Sequence, residues 1–452
     1  MSTGAEPAAG PVLTMPGAPL AFHVMAKPTG ATCNLDCEYC FFLSKEMLYP
    51  SSRFRMAEDL QEIYVRQLLE AHARAPEVVV AWQGGEPTSM GLDFFRRSIE
   101  LLREHARPGQ RILNTIQTNG TLLDDEWGAF LKENDFLVGV SIDGPPDVHD
   151  TYRVDKGGKP TYERVIRGLE VLKRHGVDWN VLTTIHAANG AQGGRVYRFL
   201  RDDLGAEFIQ FIPIIERTTA EMLSIANEGW GDNVKGRPLY TQSGDLVTDR
   251  SIGPEQYGRF LIDVFEEWVR SDIGTVYVQM FDTALANWVG EGGGMCVHAE
   301  TCGLQLAVEH NGDLYSCDHF VEPKYLLGNI REQHMLTMVA SQQQRRFGAD
   351  KRDTLTRFCR DCDVRFACNG GCPKDRFAVS PYGEPGQHYL CPGYKAFFHH
   401  VERPMRFMAE MLATNRAPAD LMAVYAAEDA RRGRNDLCSC GSGRKWKQCH
   451  GA

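Results

Sequence analysis

Long apolar runs are missing from this chain. None of its segments has the roughly 18 consecutive apolar residues of a membrane-spanning helix, so we expect no membrane contact. The first twenty residues are rich in Ala, Gly and Pro and lack the basic start and apolar core of a signal peptide. We therefore predict a flexible leader over residues 1–20 and a cytoplasmic protein.

Basic residues are fewer than acidic ones. The 452 residues include 49 Lys and Arg against 59 Asp and Glu, which gives a formal net charge of −10. An acidic chain argues against general nucleic-acid binding, and we expect none. The hydrophobic fraction of 43% excludes a disordered or fibrous protein, and the length indicates two or three domains.

Cysteine is absent from residues 41–295, although the chain contains 14 cysteines. Three lie within residues 33–40, eight within 296–391 and three within 438–449. The cytosol keeps thiols reduced, which argues against disulfides. Groups separated by so long a gap indicate several metal sites on different parts of the chain.

The first group is Cys33, Cys37 and Cys40, with the spacing C-x3-C-x2-C. Three thiolates can hold three irons of a 4Fe–4S cluster and leave the fourth iron open to a small molecule. A zinc site would need a fourth Cys or His, and Phe41-Phe42-Leu43 supplies none. The iron–sulfur interpretation is favoured; a structural zinc site and spare thiols are the alternatives.

Strand-like and helix-like segments alternate between residues 21 and 270. The predicted strands are residues 21–26, 78–82, 111–117, 136–142, 179–185 and 208–214. The predicted helices are residues 56–73, 94–105, 125–133, 162–175, 196–204 and 254–269. Such alternation predicts a parallel sheet, either doubly wound or an incomplete barrel, with ligand sites at the carboxyl ends of the strands. Residues 216–253 are predicted as a long loop and a candidate wall for a substrate peptide.

Polar motifs follow several of these strands. Gln83-Gly84-Gly85-Glu86-Pro87 follows the second strand, where two glycines let backbone approach a ligand and Glu86 could accept a bond from an ammonium group. Ser141 ends the fourth strand, and Arg153 could pair with a carboxylate. The plainer alternatives are a strand-to-helix turn and a surface ion pair. His149 is predicted to be structural, and Thr118-Asn119-Gly120 a plain turn.

Together, C-x3-C-x2-C, G-G-E-P and S-I-D-G resemble the radical S-adenosylmethionine superfamily over roughly residues 21–270. The resemblance implies a partial (β/α)6 barrel. It also implies that S-adenosylmethionine binds the open iron and is cleaved to a 5′-deoxyadenosyl radical. The contacts that it implies for this cofactor are Tyr39, Gln83, Gly84, Gly85, Glu86, Ser141, Arg153 and Ile214.

Eight cysteines lie in a Gly-rich and Cys-rich region, residues 291–395. They amount to two full sets of four, which could hold two fully ligated clusters or two structural zinc ions. The arrangement resembles the twin-cluster (SPASM) extension of radical enzymes that modify peptides. That resemblance, and not the spacing, implies one cluster on Cys296, Cys302, Cys317 and Cys372. It implies the other on Cys359, Cys362, Cys368 and Cys391.

The segments Leu314–Phe320, Leu327–Ile330 and Cys40–Glu46 resemble anaerobic sulfatase-maturating enzymes. These enzymes convert an active-site Cys, or in some cases Ser, of a sulfatase to Cα-formylglycine. The resemblance implies that Asp318 is the base that takes the thiol proton; a turn cap is the alternative. The implied partners are a sulfatase segment of the Cys-x-Pro/Ala-x-Arg type and an electron donor such as flavodoxin or ferredoxin.

The last residues form a basic, Cys-rich tail. Cys438, Cys440, Cys449 and His450 have the pattern C-x-C-x8-C-H, which suits tetrahedral zinc. The tail resembles the short zinc motif at the C-terminus of the SecA translocase. Its basic residues could meet an acidic surface, although a solvated charge cluster is the commoner explanation.

The expected organisation is therefore a partial α/β barrel over residues 21–290, a cluster domain over 291–395, a helical segment over 396–433 and a zinc tail over 434–452. Three 4Fe–4S clusters, S-adenosylmethionine and Zn²⁺ are the expected cofactors. Two other functions stay open: another radical modification of peptides, such as thioether formation, and an iron–sulfur electron carrier or adaptor.

Overall fold

A ten-stranded sheet dominates the computed structural model, which describes residues 13–292 and 294–451. Residues 1–12 of the predicted leader lie outside the described residues, whereas Met15 and Ala18 pack against the main core. The strands, in chain order, are β1 (His23–Lys27), β2 (Glu77–Trp82), β3 (Arg111–Thr118), β4 (Phe136–Ser141), β5 (Asp178–Ile185), β6 (Phe208–Pro213), β7 (Arg217–Thr218), β8 (Leu246–Val247), β9 (Tyr277–Val278), β10 (Gln305–Glu309), β11 (Asp313–Tyr315), β12 (Leu326–Asn329), β13 (Arg376–Val379) and β14 (Pro385–His388).

Helices cover the sheet and form the C-terminal part of the chain. In chain order they are α1 (Glu58–Ala71), α2 (Leu92–His105), α3 (Asp125–Glu133), α4 (Pro146–His149), α5 (Tyr162–His175), α6 (Gly193–Arg198), α7 (Leu223–Glu228), α8 (Pro254–Ser271), α9 (Gln279–Val289), α10 (Met335–Val339), α11 (Gln342–Asp353), α12 (Arg357–Arg360), α13 (Arg365–Cys368), α14 (Cys391–Ala413) and α15 (Asp420–Ala430). In the described part of the chain, no helix is long and apolar enough to cross a bilayer.

The first six strands are parallel and pair in chain order from β1 to β6, with β9 added in parallel beyond β6. Side chains of these strands are fully buried, since Val80, Trp82, Val138 and Val181 are each 0% exposed, and Trp82 packs on Phe94 and Phe95 of α2. The predicted α/β architecture with a parallel barrel sheet is confirmed. Because all six strands run the same way, their carboxyl ends and the motifs that follow them lie at one edge.

The cysteine-rich region continues the same sheet. Strand β10 pairs in parallel with β1 over five residue pairs, from His23↔Gln305 to Lys27↔Glu309, and β11 and β12 follow in antiparallel order. The sheet therefore extends past residue 290, where the predicted barrel ends. The apolar centre of β10, Leu306-Ala307-Val308, is only three residues long, which is too short a signal to predict a strand.

The segment after β6 is not a plain loop. It carries the two-stranded β7–β8 ribbon and α7, and Trp230 and Tyr240 pack together as a small buried cluster. The backbone N–H of Trp230 donates to the Glu38 carbonyl (3.3 Å), within the cysteine loop that follows β1. This insertion therefore contacts the loop that carries the first three cysteines.

The C-terminal helices pack on the outside of the barrel. Helix α14 lies along α8, and a Cβ on Gly393 would stand 2.0 Å from the Pro254 carbonyl oxygen, so that only glycine permits this approach. Met405 and Met408 are fully buried in this contact, as expected for core residues, whereas Leu412 is 42% exposed.

Candidate radical-cofactor site, cysteine sets and metal tail

The cysteine loop between β1 and the 3₁₀ helix Phe41–Leu48 brings Cys33, Cys37 and Cys40 together in one small cluster with Tyr39. The Leu35 amide lies 3.4 Å from the Cys33 sulfur. Burial raises the pKa of the Cys37 thiol to about 12, so a thiolate there needs a neighbouring cation. Three buried or half-buried thiols with this need fit the irons of a cluster.

The backbone of the two glycines after β2 packs directly against the backbone at the start of the cysteine loop. Gly84 has φ = 122°, and a Cβ on Gly85 would stand 1.9 Å from the Thr32 carbonyl oxygen. The Gly85 amide donates to the Gly30 carbonyl (2.8 Å), and the Glu86 amide to the Thr32 carbonyl (3.0 Å). Both glycines are thus required to place this backbone beside the cysteine loop.

Glu86 is completely buried and already has several partners. Its Oε1 accepts bonds from the Thr88 amide (3.0 Å) and the Thr118 hydroxyl (2.7 Å), and its Oε2 accepts from the Asn119 amide (2.8 Å). Burial raises the pKa of Glu86, and these hydrogen bonds oppose the rise. The carboxylate therefore joins the carboxyl ends of β2 and β3.

Asn119 does more than the predicted plain turn. Its side-chain amide donates to Asn34 Oδ1 (2.8 Å) and lies 3.7 Å from the Cys33 sulfur. The only sequence signal for this role is the position of Asn119 directly after a strand of the parallel sheet.

Arg153 is buried against Asp143, the aspartate of the S-I-D-G motif. The sequence did not predict this pairing. The Arg153 Nε and Nη2 donate to the two Asp143 oxygens at 2.9 and 3.1 Å, and the Tyr39 hydroxyl donates to Asp143 Oδ2 (2.6 Å). Burial alone would raise the pKa of Asp143, but the charges of Arg153 and His186 hold it well below its usual value.

Arg153 therefore does not stand free for a ligand: two of its three guanidinium nitrogens serve this internal pair. The Thr184 amide also donates to Asp143 (3.0 Å), so the pair joins the ends of β4 and β5. His149 is buried behind it, with Nε2 3.1 Å from the Thr161 hydroxyl, in a structural position.

The remaining predicted cofactor contacts lie at the same edge of the sheet. Ser141 is half-buried and its hydroxyl accepts a bond from Gln117 (3.1 Å). The Gln83 amide donates to the Ala26 carbonyl (2.8 Å). Ile214 packs with the Cys37 and Tyr39 cluster, and its backbone amide and carbonyl are both bonded within the chain, to Ile185 and Ile252.

The insertion holds the cysteine loop from outside through Asp36. The Asp36 carboxylate accepts bonds from the Asp232 amide (3.1 Å) and the Asn233 side chain (2.8 Å). A Cβ on Gly231 would stand 2.1 Å from Asp36 Oδ1, so a larger residue there would displace the Asp36 carboxylate. Asp36 lies between two predicted iron ligands, which gives the insertion a direct hold on their loop.

Asp318 follows Cys317 and is ion-paired with Lys27, the last residue of β1. Lys27 is 3% exposed, and its ammonium also lies 3.8 Å from the centre of the Phe42 ring. Burial would raise the pKa of Asp318, but the Lys27 charge and hydrogen bond keep it below its usual value. The pair places this carboxylate at the barrel mouth, next to the loop of the first three cysteines; Lys27 had no sequence signal.

The other eight cysteines form two groups. Cys372 and Cys296 lie close enough to Cys317 to raise the pKa of its thiol, and Cys296 raises the pKa of Cys302 in the same way. The second group lines one small cavity: Cys359, Cys362, Cys368 and Cys391. The structure thus brings together the same two sets of four that the resemblance implies.

The ligand atoms of the C-terminal tail lie unusually close to one another. Four ligands of one zinc ion at about 2.3 Å lie about 3.8 Å from one another. Within residues 13–292 and 294–451, one group of three or more metal-ligand side chains has all its ligand atoms within 4.8 Å: Cys438, Cys440, Cys449 and His450. The tail set therefore has the ligand spacing of a single zinc ion.

The tail is fixed to the barrel by two arginines of α8. Arg259 donates to the Cys440 carbonyl (3.3 Å), and Arg270 donates to the Ser439 hydroxyl (2.9 Å). Within the tail, the Cys438 sulfur lies 3.1 Å from His450 Nδ1, and the sulfurs of Cys440 and Cys449 are 3.5 Å apart. These distances fit a small tetrahedral ion.

Three family models match this chain in succession. They are the radical SAM superfamily over residues 28–200, the SPASM iron–sulfur cluster-binding domain over residues 299–363 and the SEC-C motif over residues 434–452. A solved structure described as native anSMEcpe with bound AdoMet has a TM-score of 0.74 and 30% identity, covering 86% of this chain and 99% of that one. The same protein with bound AdoMet and Cp18Cys peptide has a TM-score of 0.73.

The similarity to curated relatives extends over most of the chain. A serine-type anaerobic sulfatase-maturating enzyme of Bacteroides thetaiotaomicron is 43% identical over 401 residues, which are 88% of this chain and 94% of that protein. A cysteine-type enzyme of Clostridium perfringens is 31% identical over 382 residues, which are 84% and 95% of the two chains. This protein therefore belongs to the family of anaerobic sulfatase-maturating enzymes.

Proposed function

We propose that this protein oxidises an active-site Cys of a sulfatase to Cα-formylglycine, with Ser as the alternative target residue. The similarity to sulfatase-maturating enzymes over 88% of the chain is the observation that carries this proposal. The substrate is a sulfatase segment of the Cys-x-Pro/Ala-x-Arg type, and the electron donor is a flavodoxin or ferredoxin. The related structures with bound peptides support a polypeptide substrate.

Three 4Fe–4S clusters are proposed on the three cysteine sets described above. The first set would hold S-adenosylmethionine through the open iron, and this cofactor, when bound, would supply the radical chemistry that removes one hydrogen atom from the substrate Cβ. The half-buried backbone of Gly84 and Gly85, the side chains of Gln83 and Ser141, and Tyr39 lie around this cysteine loop and would hold the cofactor. Arg153 and Glu86 would then act largely by fixing the strand ends, because most of their polar atoms serve internal bonds.

Asp318 is proposed as the base that accepts the proton of the substrate thiol. Its carboxylate is 22% exposed and lies between the cysteine loop and Cys317. The Lys27 ammonium keeps it ionised, and therefore able to accept a proton, through most of the physiological pH range. The oxidation removes one hydrogen atom, one proton and one electron from the substrate, and a cluster held by the other eight cysteines would accept the electron. Hydrolysis of the thioaldehyde then yields formylglycine.

The tail is proposed to hold one Zn²⁺ on Cys438, Cys440, Cys449 and His450. The close approach of their ligand atoms supports this. The contacts of Arg259 and Arg270 with the tail indicate that the ion would stiffen a module already fixed to the barrel.

The test is a peptide assay under anaerobic, reducing conditions with reconstituted protein. Peptides that differ only in Cys, Ser or Ala at the target position are incubated with S-adenosylmethionine, and both the peptide mass and 5′-deoxyadenosine are measured. Formylglycine from the Cys or Ser peptide, and none from the Ala peptide, is expected. Cofactor cleavage without any change in peptide mass would contradict the proposal.

The Asp318→Asn variant tests the base. Loss of a general base lowers product formation by about 10²–10⁴-fold, and cofactor cleavage should continue. Asp353→Asn, on the exposed end of α11, is the matched control and should behave as wild type. Unchanged product formation in Asp318→Asn would remove this residue from the role.

A further inference from the structure

Two cations lie among the eight cysteines without a carboxylate partner. Lys351 on α11 is 0% exposed and donates to the Ala299 carbonyl. Arg376, at the start of β13, donates to the carbonyls of Gly370 (2.9 Å) and Lys351 (2.6 Å). Across the described residues, no carboxylate oxygen lies within the 4.0 Å limit of an ion pair with either cation.

Lys374 shows the contrast within the same region. It too is enclosed by protein, but its ammonium lies 2.8 Å from the Asp375 carboxylate, so its charge is balanced. A buried cation without such a partner costs several kcal/mol. Such a group either loses its charge or is balanced by another anion, and backbone carbonyls supply partial charges alone.

The thiols around the two cations differ in a systematic way. Lys351 bonds to Ala299, which lies between Cys296 and Cys302 of the first set, and its main electrostatic interactions with cysteines are with that set. Arg376 donates to the carbonyls of Gly370 and Gly371 (3.3 Å), which lie between Cys368 of the second set and Cys372 of the first, and it interacts electrostatically with cysteines of both sets. Lys351 therefore belongs to one set, whereas Arg376 lies between the two.

A 4Fe–4S core with four thiolate ligands is an anion, and reduction adds one more negative charge to it. A fixed cation nearby stabilises the reduced form more than the oxidised form, and net charge is one of the factors that set the potential of such clusters. The low-dielectric surroundings of a buried ammonium strengthen this effect.

We propose that Lys351 and Arg376 set the reduction potentials of the two fully ligated clusters, Lys351 acting on the first set alone and Arg376 on both. The inference rests on the cluster sets of the proposed function. One electron leaves the substrate and reduces the first cluster by one electron; Lys351 makes that cluster the better acceptor. Arg376 raises the potentials of both clusters together and therefore leaves the difference between them unchanged.

The test is a redox titration followed by electron paramagnetic resonance. Replacing Cys33, Cys37 and Cys40 by Ala removes the radical cluster, so that the signal reports the other two. Lys351→Met should move one of the two reduction waves to lower potential, and Arg376→Met should move both. We expect the ratio of oxidised to reduced cluster to rise about tenfold at fixed potential, which corresponds to about 59 mV for one electron.

Arg352→Gln is the matched control, because Arg352 is the exposed neighbour of Lys351 and pairs with Asp353. It should move neither wave. Iron content separates this inference from the proposed function: a parent protein without about eight irons would count against the clusters themselves. Full iron content with unmoved waves in Lys351→Met and Arg376→Met would overturn only the inference about the two cations.

A variant that fails to take up iron is also informative. Lys351→Arg retains the charge, whereas Lys351→Gln retains a hydrogen-bond donor without it. Loss of iron from Lys351→Met and Lys351→Gln, together with full iron and an unmoved wave in Lys351→Arg, would support the role of the charge. Loss of iron from all three would overturn it, because the side chain would then serve packing alone.

Discussion

Replacing Asp143 by Asn removes the one negative charge that the buried ends of β4 and β5 share. The Asp143 carboxylate accepts two bonds from Arg153 (2.9 and 3.1 Å), one from the Tyr39 hydroxyl (2.6 Å) and one from the Thr184 amide (3.0 Å). In the variant, the NH₂ group of the new asparagine replaces one carboxylate oxygen and faces N–H or O–H donors with no acceptor. The Arg153 guanidinium is left buried without a counter-charge.

The expected cost follows from this burial. The Asp143 side chain is 0% exposed and that of Arg153 is 8% exposed. Breaking such a pair costs about 3–5 kcal/mol. An unfolding entropy of about 2.1 cal/mol/K per residue, over roughly 260 barrel residues, gives about 0.55 kcal/mol/K and a Tm lower by about 5–9 °C.

The chain offers a matched control four residues away. Asp147 also receives two bonds from one arginine, Arg195, at 2.6 and 2.8 Å, but these side chains are 63% and 47% exposed. An exposed pair contributes about 0–1 kcal/mol, so Asp147→Asn should lower the Tm by about 2 °C or less. Scanning calorimetry of both reconstituted variants measures the difference, and equal shifts would refute the assignment of the cost to the buried charge.

The pH dependence has a definite sign. The Arg153 charge holds the folded-state pKa of Asp143 below its ordinary value of 3.8, despite burial. The stabilisation is therefore present above that ordinary value and is lost as the pH falls towards the folded-state pKa. The Tm difference between wild type and Asp143→Asn should stay constant from about pH 5 to 8 and shrink below about pH 4.

Three further predictions concern other parts of the site. Lys27→Met should leave cofactor cleavage intact and lower formylglycine formation by about 10–100-fold, because the Asp318 carboxylate loses its orienting partner; product at the wild-type rate would contradict this. Burial lowers the pKa of Lys45 to about 8, so between about pH 8 and its ordinary 10.5 the unfolded state binds more protons than the folded state. The free energy of unfolding of the wild type, measured by denaturant titration, should therefore rise by about 1.4 kcal/mol per pH unit relative to that of Lys45→Met. Metal analysis should find about one zinc per chain, and none beyond background in Cys438→Ser, whose cofactor cleavage should be unchanged.

Local patterns were sufficient for the regular elements of the barrel. The predicted helices at residues 125–133 and 162–175 agree with the bounds of α3 and α5, where apolar side chains recur on one face and Asp124 caps α3 by accepting a bond from the Trp127 amide (3.0 Å). The helix predicted from residue 196 instead begins at Gly193. A Cβ on Gly193 would stand 2.6 Å from the Phe260 carbonyl oxygen. Packing of α6 against α8 therefore explains why a glycine begins this helix, which helix propensity would not predict.

The missed residues share a physical reason. The contacts of Asp143, Asn119 and Lys27 were missed because most of their partners lie far along the chain and come close only when the strands pair. Arg153 is the exception, since it follows Asp143 by ten residues. Lys27 meets Asp318 across 291 residues of sequence. Cysteine spacing was informative because a cluster requires a fixed ligand type, whereas a buried Asp or Lys requires only some partner of opposite charge.

The shared sheet explains how one chain can join the proposed radical site to the proposed base, Asp318. Strand β1 leads into the loop of Cys33, Cys37 and Cys40, and β10, its parallel neighbour, continues through β11 to Cys317 and Asp318. Five residue pairs fix the register of these strands, so the loop and Asp318 hold their distance without a flexible linker between them. The Lys27–Asp318 ion pair then joins the end of β1 to the residue that follows the cluster ligand. A hydrogen atom and a proton must leave adjacent atoms of one residue, and a geometry set by backbone pairing meets this requirement better than two domains free to move.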